Sequence, residues 1–122
     1  MPRASDGGPL GPLEREVMEV LWGSKDSLAV RDVLERLNRR RKPKLAYTTV
    51  MTVLSRLAEK EVVTREKVGR GYAYLPAVSD QAGIAVRGVL RDFGDAAVAH
   101  FVEEARADPE LLDRLRRLMR KE

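Results

Sequence analysis

The chain has 122 residues, of which 43% are hydrophobic, 5% aromatic and 34% charged, so we expect one domain or a small domain with an appendage, built on an aliphatic core. It contains no cysteine, which excludes disulfides and thiolate metal sites and is compatible with a reducing cytoplasm. No apolar run reaches the roughly 18 residues of a membrane span, and the N-terminus has no apolar signal segment, so a cytoplasmic protein without membrane insertion is predicted.

The net charge of +4 is unevenly distributed. Residues 1–77 have a net charge of +5, whereas residues 78–122 have a net charge of −1. No acidic residue lies between Glu35 and Glu59, and seven basic residues fall in that interval: Arg36, Arg39, Arg40, Arg41, Lys42, Lys44 and Arg56. A local field of this kind favours a polyanionic partner more strongly than the overall charge suggests.

Two amphipathic helices are predicted after a tail of residues 1–11, which is rich in Gly and Pro and is expected to be disordered. The first helix begins at Pro12 and ends at Gly23, and Trp22 is assigned to its core side. A short turn leads to the second helix, in LAVRDVLERLNRR, for which Ser27 is the expected N-cap.

The basic segment RRRKPK (residues 39–44), in which Pro43 ends the second helix, leads directly into a third helix over Leu45–Lys60. One face of this helix is aliphatic. The other bears short hydroxyls and an arginine: Thr48, Thr49, Thr52, Ser55 and Arg56. Such side chains let a helix lie close in a DNA major groove and bond base edges or phosphates. An ordinary surface helix is the alternative for this window alone, but the adjoining basic segment favours DNA.

After Lys60 the apolar period changes from 3.6 to 2, which predicts two strands, VVTREKV and YAYLP, joined by a tight turn at residues 69–71. Tyr72 and Tyr74 share one face and are expected to pack on the helices rather than stack on bases. Helix, helix, helix, hairpin is the order of a winged helix. The predicted fold class is therefore mainly α with a small β-hairpin wing, a winged helix–turn–helix domain spanning residues 12–77.

The predicted DNA interface combines three segments of this domain. It consists of Tyr47, Thr48, Thr49, Thr52, Ser55 and Arg56 in the third helix, Arg40, Arg41, Lys42 and Lys44 in the basic segment, and Lys67 and Arg70 in the wing. We expect the hydroxyl face to approach base edges, whereas the basic groups attract phosphates of any sequence.

Residues 78–122 are predicted to form a helical dimerisation domain of three short helices, with breaks at Gly94–Asp95 and Asp108–Pro109. About 45 residues can hardly form a core alone, so a second copy of the chain is the expected partner for their apolar positions. Dimerisation would also place two third helices on the halves of a palindrome. The alternative is a monomer in which these helices fold back on the winged helix. The predicted dimer positions are Phe93, Val98, Phe101, Val102, Leu111, Leu112, Leu115, Leu118 and Met119.

No residue set indicates catalysis. His100 is the only histidine and lies beside apolar residues, which favours a structural role. Ser–His–Asp sets, metal-ligand clusters and phosphate-binding glycine loops are lacking, so the sequence predicts no enzyme, no metal and no cofactor. The main alternative function is a winged helix that binds a partner protein, which would tolerate loss of the charges in residues 39–44 and bind independently of salt.

The residues also resemble a known family over nearly the whole chain after residue 10. The similar segments are LEREVMEVLW, VRDVLERL, AYTTVMTVLSRLAEKEVV, GYAYLP and AVAHFVEEA, and they look like the penicillinase repressor family (BlaI/MecI/CopY type). The resemblance implies a bacterial transcriptional repressor with a winged-helix N-terminal domain and a helical C-terminal dimerisation domain. Such proteins bind a palindromic operator in front of their regulated genes, typically genes for β-lactam resistance or copper handling.

The resemblance also bears on single residues. Thr49, Thr52 and Arg56 match family positions that face the operator, whereas Thr48 stands where some members have lysine and Ala46 where some have a capping serine. The copper-responsive branch has a Cys-x-Cys tail, and this chain has no cysteine, which excludes copper sensing by that chemistry.

In the β-lactam branch a membrane sensor-protease signals cleavage between an asparagine and a phenylalanine of the dimerisation domain. The matching pair in this chain is His100–Phe101, which retains the phenylalanine but not the asparagine. Inactivation by cleavage at this pair, with a sensor-protease as partner, is therefore an open alternative.

Overall fold

The computed structural model describes residues 10–121, which form six helices and three strands. The predicted mainly α winged-helix fold is confirmed. Disorder was predicted for residues 1–11, of which residues 1–9 lie outside the described residues. Leu10, by contrast, is buried in the core, and Gly11 precedes the first helix. The elements are α1 (Pro12–Trp22), β1 (Leu28–Ala29), α2 (Val30–Asn38), α3 (Tyr47–Glu59), β2 (Val63–Val68), β3 (Gly71–Pro76), α4 (Gln81–Phe93), α5 (Asp95–Ala107) and α6 (Pro109–Arg120).

The chain divides into two compact units, one ending at Gly88 and the other beginning at Val89. The division falls inside α4, whose Ile84 is buried in the core of the first unit. The domain boundary proposed at residues 77 and 78 stays a prediction. No helix within residues 10–121 is long and apolar enough to cross a bilayer.

The core of the first unit is aliphatic and is formed by the predicted stripes of α1, α2 and α3. Residues three and four positions apart on a helix share one face, so each stripe turns inward as a set. The buried side chains include Val17, Met18 and Leu21 of α1, Val33 and Leu37 of α2, and Val50, Val53, Leu54 and Leu57 of α3.

A third strand, which the sequence did not indicate, precedes α2. Residues Leu28 and Ala29 pair antiparallel with Tyr74 and Ala73, and the strand order is β1-β3-β2. The expectation that Ser27 caps α2 is wrong, because this pairing keeps the next two residues extended and α2 begins only at Val30. The Asp32 carboxylate instead accepts a hydrogen bond of 3.2 Å from the Ala29 N–H.

Helix α3 ends in a hydrogen-bonded left-handed turn. The Glu61 N–H donates to the Ala58 carbonyl at 3.0 Å, and the Val62 N–H donates to the Leu57 carbonyl at 3.2 Å. This pair of bonds satisfies carbonyls that the helix end would otherwise leave open, and it requires a residue with positive φ between them. That residue is Glu61, with φ of 65°.

Replacing Glu61 with glycine is expected to stabilise the protein by about 0.5–1 kcal/mol. The left-handed conformation costs a residue with a Cβ roughly 1–2 kcal/mol, which exceeds the roughly 0.5–1 kcal/mol lost through glycine's greater freedom when unfolded. Urea unfolding measures the change. Glu66→Gly, at an exposed position in strand β2, is the matched control and should destabilise the protein. If Glu61→Gly destabilised it equally, strain at Glu61 would be contradicted.

The predicted breaks in the C-terminal part are confirmed. Gly94, with φ of 54°, separates α4 from α5. The Asp108 carboxylate caps α6 by accepting hydrogen bonds from the Glu110 and Leu111 N–H groups at 3.1 and 3.3 Å. Among residues 89–121 only Ala105 is buried, and no residue of α6 is buried.

Candidate nucleic-acid interface

Helix α3 turns its hydroxyl face outward. Its aliphatic stripe is buried, whereas Thr48, Thr49, Thr52 and Arg56 are exposed and Ser55 is half-buried. The threonines are therefore not used in packing, and the side of the helix that bears them is open to a partner. No acidic residue lies on α3 before Glu59, its last residue.

The start of α3 is fixed by Asn38, the last residue of α2. The side-chain amide of Asn38 donates to the Leu45 carbonyl at 3.2 Å, and its oxygen accepts from the Leu45 N–H at 2.8 Å. The two bonds close the basic segment into a loop whose ends are held together. Sequence reasoning missed this role, for which the only signal was an asparagine at the end of a helix.

The basic side chains of this loop fall into two groups. Arg40, Lys42 and Lys44 are exposed and make no ion pair within the part of the chain that the structure describes. Arg41 is half-buried and forms an ion pair with Glu16 of α1. Three of the predicted basic groups are thus open to phosphates, whereas Arg41 would have to leave Glu16 to reach one.

The wing is the β2–β3 hairpin, in which Val68 pairs with Gly71 and Lys67 pairs with Tyr72. Gly69 has a φ of 61°, as its turn requires, and both Lys67 and Arg70 are exposed near the tip. The wing therefore presents two exposed cations near its tip. Their contact with DNA stays a prediction.

The prediction that both wing tyrosines pack on the helices is correct for Tyr74 but wrong for Tyr72. Tyr74 is 2% exposed in the core, whereas Tyr72 is 40% exposed. The rings meet edge to face at 6.5 Å, and the guanidinium of Arg65 lies 4.4 Å from the Tyr72 ring centre. Because Tyr72 is two residues nearer the tip, it packs on Tyr74 and Arg65 rather than on the helices.

Nothing in residues 10–121 resembles a catalytic or metal centre. No group of three or more His, Asp or Glu side chains there could hold a metal ion. The His100 side chain is 81% exposed on α5, with its Nδ1 atom 3.5 Å from a Glu103 carboxylate oxygen. The His100 side chain is therefore exposed, and its structural role stays a prediction.

The first unit has three helices followed by an antiparallel hairpin, and its third helix exposes a polar face that is free of acidic groups over most of its length. These features place the protein in the class of winged-helix DNA-binding proteins. The family model of the penicillinase repressor matches residues 10–121. The chain is 44% identical over 117 residues to the transcriptional regulator BlaI of Mycobacterium tuberculosis, in strains CDC 1551 / Oshkosh and ATCC 25618 / H37Rv, covering 90% of this chain and 82% of each relative.

The chain belongs to the penicillinase repressor family. The resemblance seen in the sequence is thereby confirmed, and so is the prediction that this is a transcriptional repressor and not an enzyme.

Proposed function

We propose that the protein represses transcription as a homodimer that binds a palindromic operator in double-stranded DNA. The observation that carries the proposal is the outward face of α3, where exposed hydroxyls adjoin three exposed basic side chains of the loop. An idle surface helix would usually bear glutamate and lysine there. A groove lined with phosphates is the partner that this combination of short hydroxyls and flanking cations fits.

The two kinds of side chain have different roles in this proposal. Thr48, Thr49, Thr52 and Arg56, with Tyr47 and Ser55 beside them, approach base edges and adjacent phosphates, and so select the sequence. Arg40, Lys42 and Lys44 of the loop, with Lys67 and Arg70 of the wing, attract phosphates of any sequence. Arg41 adds to that attraction when a phosphate replaces its partner Glu16.

The dimer is proposed from the apolar side chains of the C-terminal helices. Phe93, Leu118 and Met119 are 65%, 63% and 69% exposed, and Val98, Phe101 and Val102 are exposed as well. Leu111, Leu112 and Leu115 are half-buried. So large an apolar surface is unfavourable in water and is satisfied by the same surface of a second copy. Two recognition helices would then lie roughly 34 Å apart, one turn of DNA.

Repression follows from covering a promoter, and release follows from loss of the dimer. By family likeness, genes for β-lactam resistance or another stress response are the proposed targets. Cleavage at His100–Phe101, signalled by a membrane sensor-protease, is one route to release. Both residues are exposed, but they lie in the middle of α5, so a protease would need that helix to open first.

Two substitutions test the proposal by separating base contacts from phosphate contacts. Thr52→Ala is expected to lower affinity for the operator about 25-fold, because a hydrogen bond worth about five-fold is lost in each half of the dimer, and to leave binding to random duplex unchanged. Arg40→Ala should weaken both equally and reduce the slope of log K against log salt by about 2, which is about 1 for each subunit of the dimer. Fluorescence anisotropy at several salt concentrations, on an operator selected from a random duplex library, measures both effects.

Arg106→Ala is the matched control, because it removes the same charge from an exposed position in α5, outside the proposed interface. It should leave the salt slope unchanged. If Thr52→Ala and Arg40→Ala both behaved like this control, the DNA face would be wrongly assigned. A winged helix used for protein interaction predicts that outcome, together with binding that hardly changes with salt.

A further inference from the structure

Met51, a large apolar side chain, is exposed on the flank of α3, between its aliphatic stripe and its hydroxyl face. Met51 is 42% exposed, and it lies one helical turn after Tyr47, which is 45% exposed, and one turn before Ser55. Thr48 precedes Met51 by three positions, and Thr52 follows it directly. Sequence reasoning passed over Met51, because it adjoins Val50 in the chain and was not assigned to either face.

Met51 is not part of the buried core. The core side of α3 is marked by Val50, Leu54 and Leu57, which are fully buried. Met51 lies at the edge of this side, about 60° around the helix from Leu54 and about 40° from Ser55. An isolated exposed apolar side chain is common on protein surfaces, so exposure alone indicates nothing. Its position is informative, because it borders the hydroxyl face that would enter a groove.

The chemistry of the major groove limits what Met51 could contact there. The edges of guanine, cytosine and adenine present hydrogen-bond donors and acceptors, which a thioether would leave unsatisfied. Thymine alone adds a C5 methyl group, which is an apolar partner. A flexible, polarisable methionine side chain can adapt its position to such a methyl group.

We propose that Met51 reads a thymine methyl group in each half of the operator, beside the base or phosphate contact of Thr48. This inference rests on the proposed function and adds a sequence preference to it. Because the proposed dimer is symmetric, the two thymines are related by the palindrome. Loss of both methyl groups should then lower the affinity by the square of the factor that one methyl group contributes.

Replacing thymine with deoxyuridine tests this directly, because the only change is loss of the methyl group. Each symmetric pair of thymines in the selected operator is replaced in turn, and affinity is measured by fluorescence anisotropy with the full chain. One pair should lower the affinity of the unmodified protein about 15-fold, from about four-fold for each methyl group. Met51→Gln, of similar size but polar, should bind the thymine and deoxyuridine operators equally.

Met51→Leu is the conservative variant and should retain most of the discrimination against deoxyuridine. Thymine pairs that Met51 does not contact should respond identically in all three proteins. Circular dichroism checks that the variants fold, which the exposure of Met51 leads us to expect. If no deoxyuridine pair lowered the affinity, or if Met51→Gln kept the full loss, this inference would be overturned and operator binding would stand. If selection returned no preferred sequence, both proposals would fall.

Discussion

Glu14→Gln is expected to destabilise the protein by about 3 kcal/mol, although glutamine has nearly the same shape. Both carboxylate oxygens of Glu14 lie 3.0 Å from the Lys60 Nζ atom, and Oε1 also accepts a hydrogen bond of 3.0 Å from the Gly11 N–H. Glutamine can keep the bond to Gly11 but not the charge. It removes the negative charge beside the Lys60 ammonium, which is on a side chain only 13% exposed. Removing one partner of a buried ion pair costs about 3–5 kcal/mol. We expect the lower limit of this range, because the flexible lysine side chain can extend its ammonium group towards water.

Urea unfolding of the single variants and of the Glu14→Gln/Lys60→Met double variant separates the pair from its parts. Because the double variant leaves no buried charge, it should be more stable than the sum of the two single losses predicts, by about 1–3 kcal/mol. Glu16→Gln is the matched control: the pair of Glu16 with Arg41 has side chains 45% and 30% exposed, so its loss should cost less than about 1 kcal/mol. Equal losses for Glu14→Gln and Glu16→Gln would contradict a structural role for the buried pair.

The ion pair also illustrates which parts of the fold could be predicted from the sequence. Helices α1, α2 and α3 were found because local apolar periodicity determines which face of a helix is buried. Glu14 could not be placed, because a glutamate in the first turn of a helix is usually solvated. Its burial depends on Lys60, which is 46 positions away in sequence and is brought close only by packing.

The same distinction applies to the sheet and the candidate site. The pairing of Leu28 with Tyr74 is a long-range contact that a two-residue strand does not reveal in the sequence. Because of this pairing, α2 begins at Val30 rather than directly after Ser27. On α3 the threonine face followed from helical spacing. The exposure of Met51 did not follow from helical spacing, because it depends on whether side chains of other elements pack over that position. Likewise, Arg41 pairs with Glu16 because of where packing places α1, whereas Lys42 remains exposed.

Leu118→Glu is expected to convert the dimer to a monomer and to lower affinity for the palindromic operator at least about 100-fold. Leu118 is 63% exposed in the isolated chain, so glutamate should not disturb the fold of α6. In the proposed dimer the same position is covered by the second copy, where an unpaired carboxylate is strongly unfavourable. Joining two half-site contacts typically raises affinity by a factor of about 10² to 10⁴ over one contact, and the monomer loses that factor.

Sedimentation equilibrium reports the mass, and fluorescence anisotropy on the full palindrome and on a single half-site reports binding. Arg116→Gln is the matched control, because it changes the net charge by the same amount at an exposed position of the same helix. It should leave a dimer of full affinity, whereas Leu118→Glu should bind the half-site as the unmodified α3 surface does. Since α3 lies in the other compact unit, unchanged half-site affinity would locate the loss in dimerisation rather than in the DNA face. A Leu118→Glu protein that remained dimeric, or a monomer that bound the palindrome at full strength, would contradict the proposed role of the α6 surface.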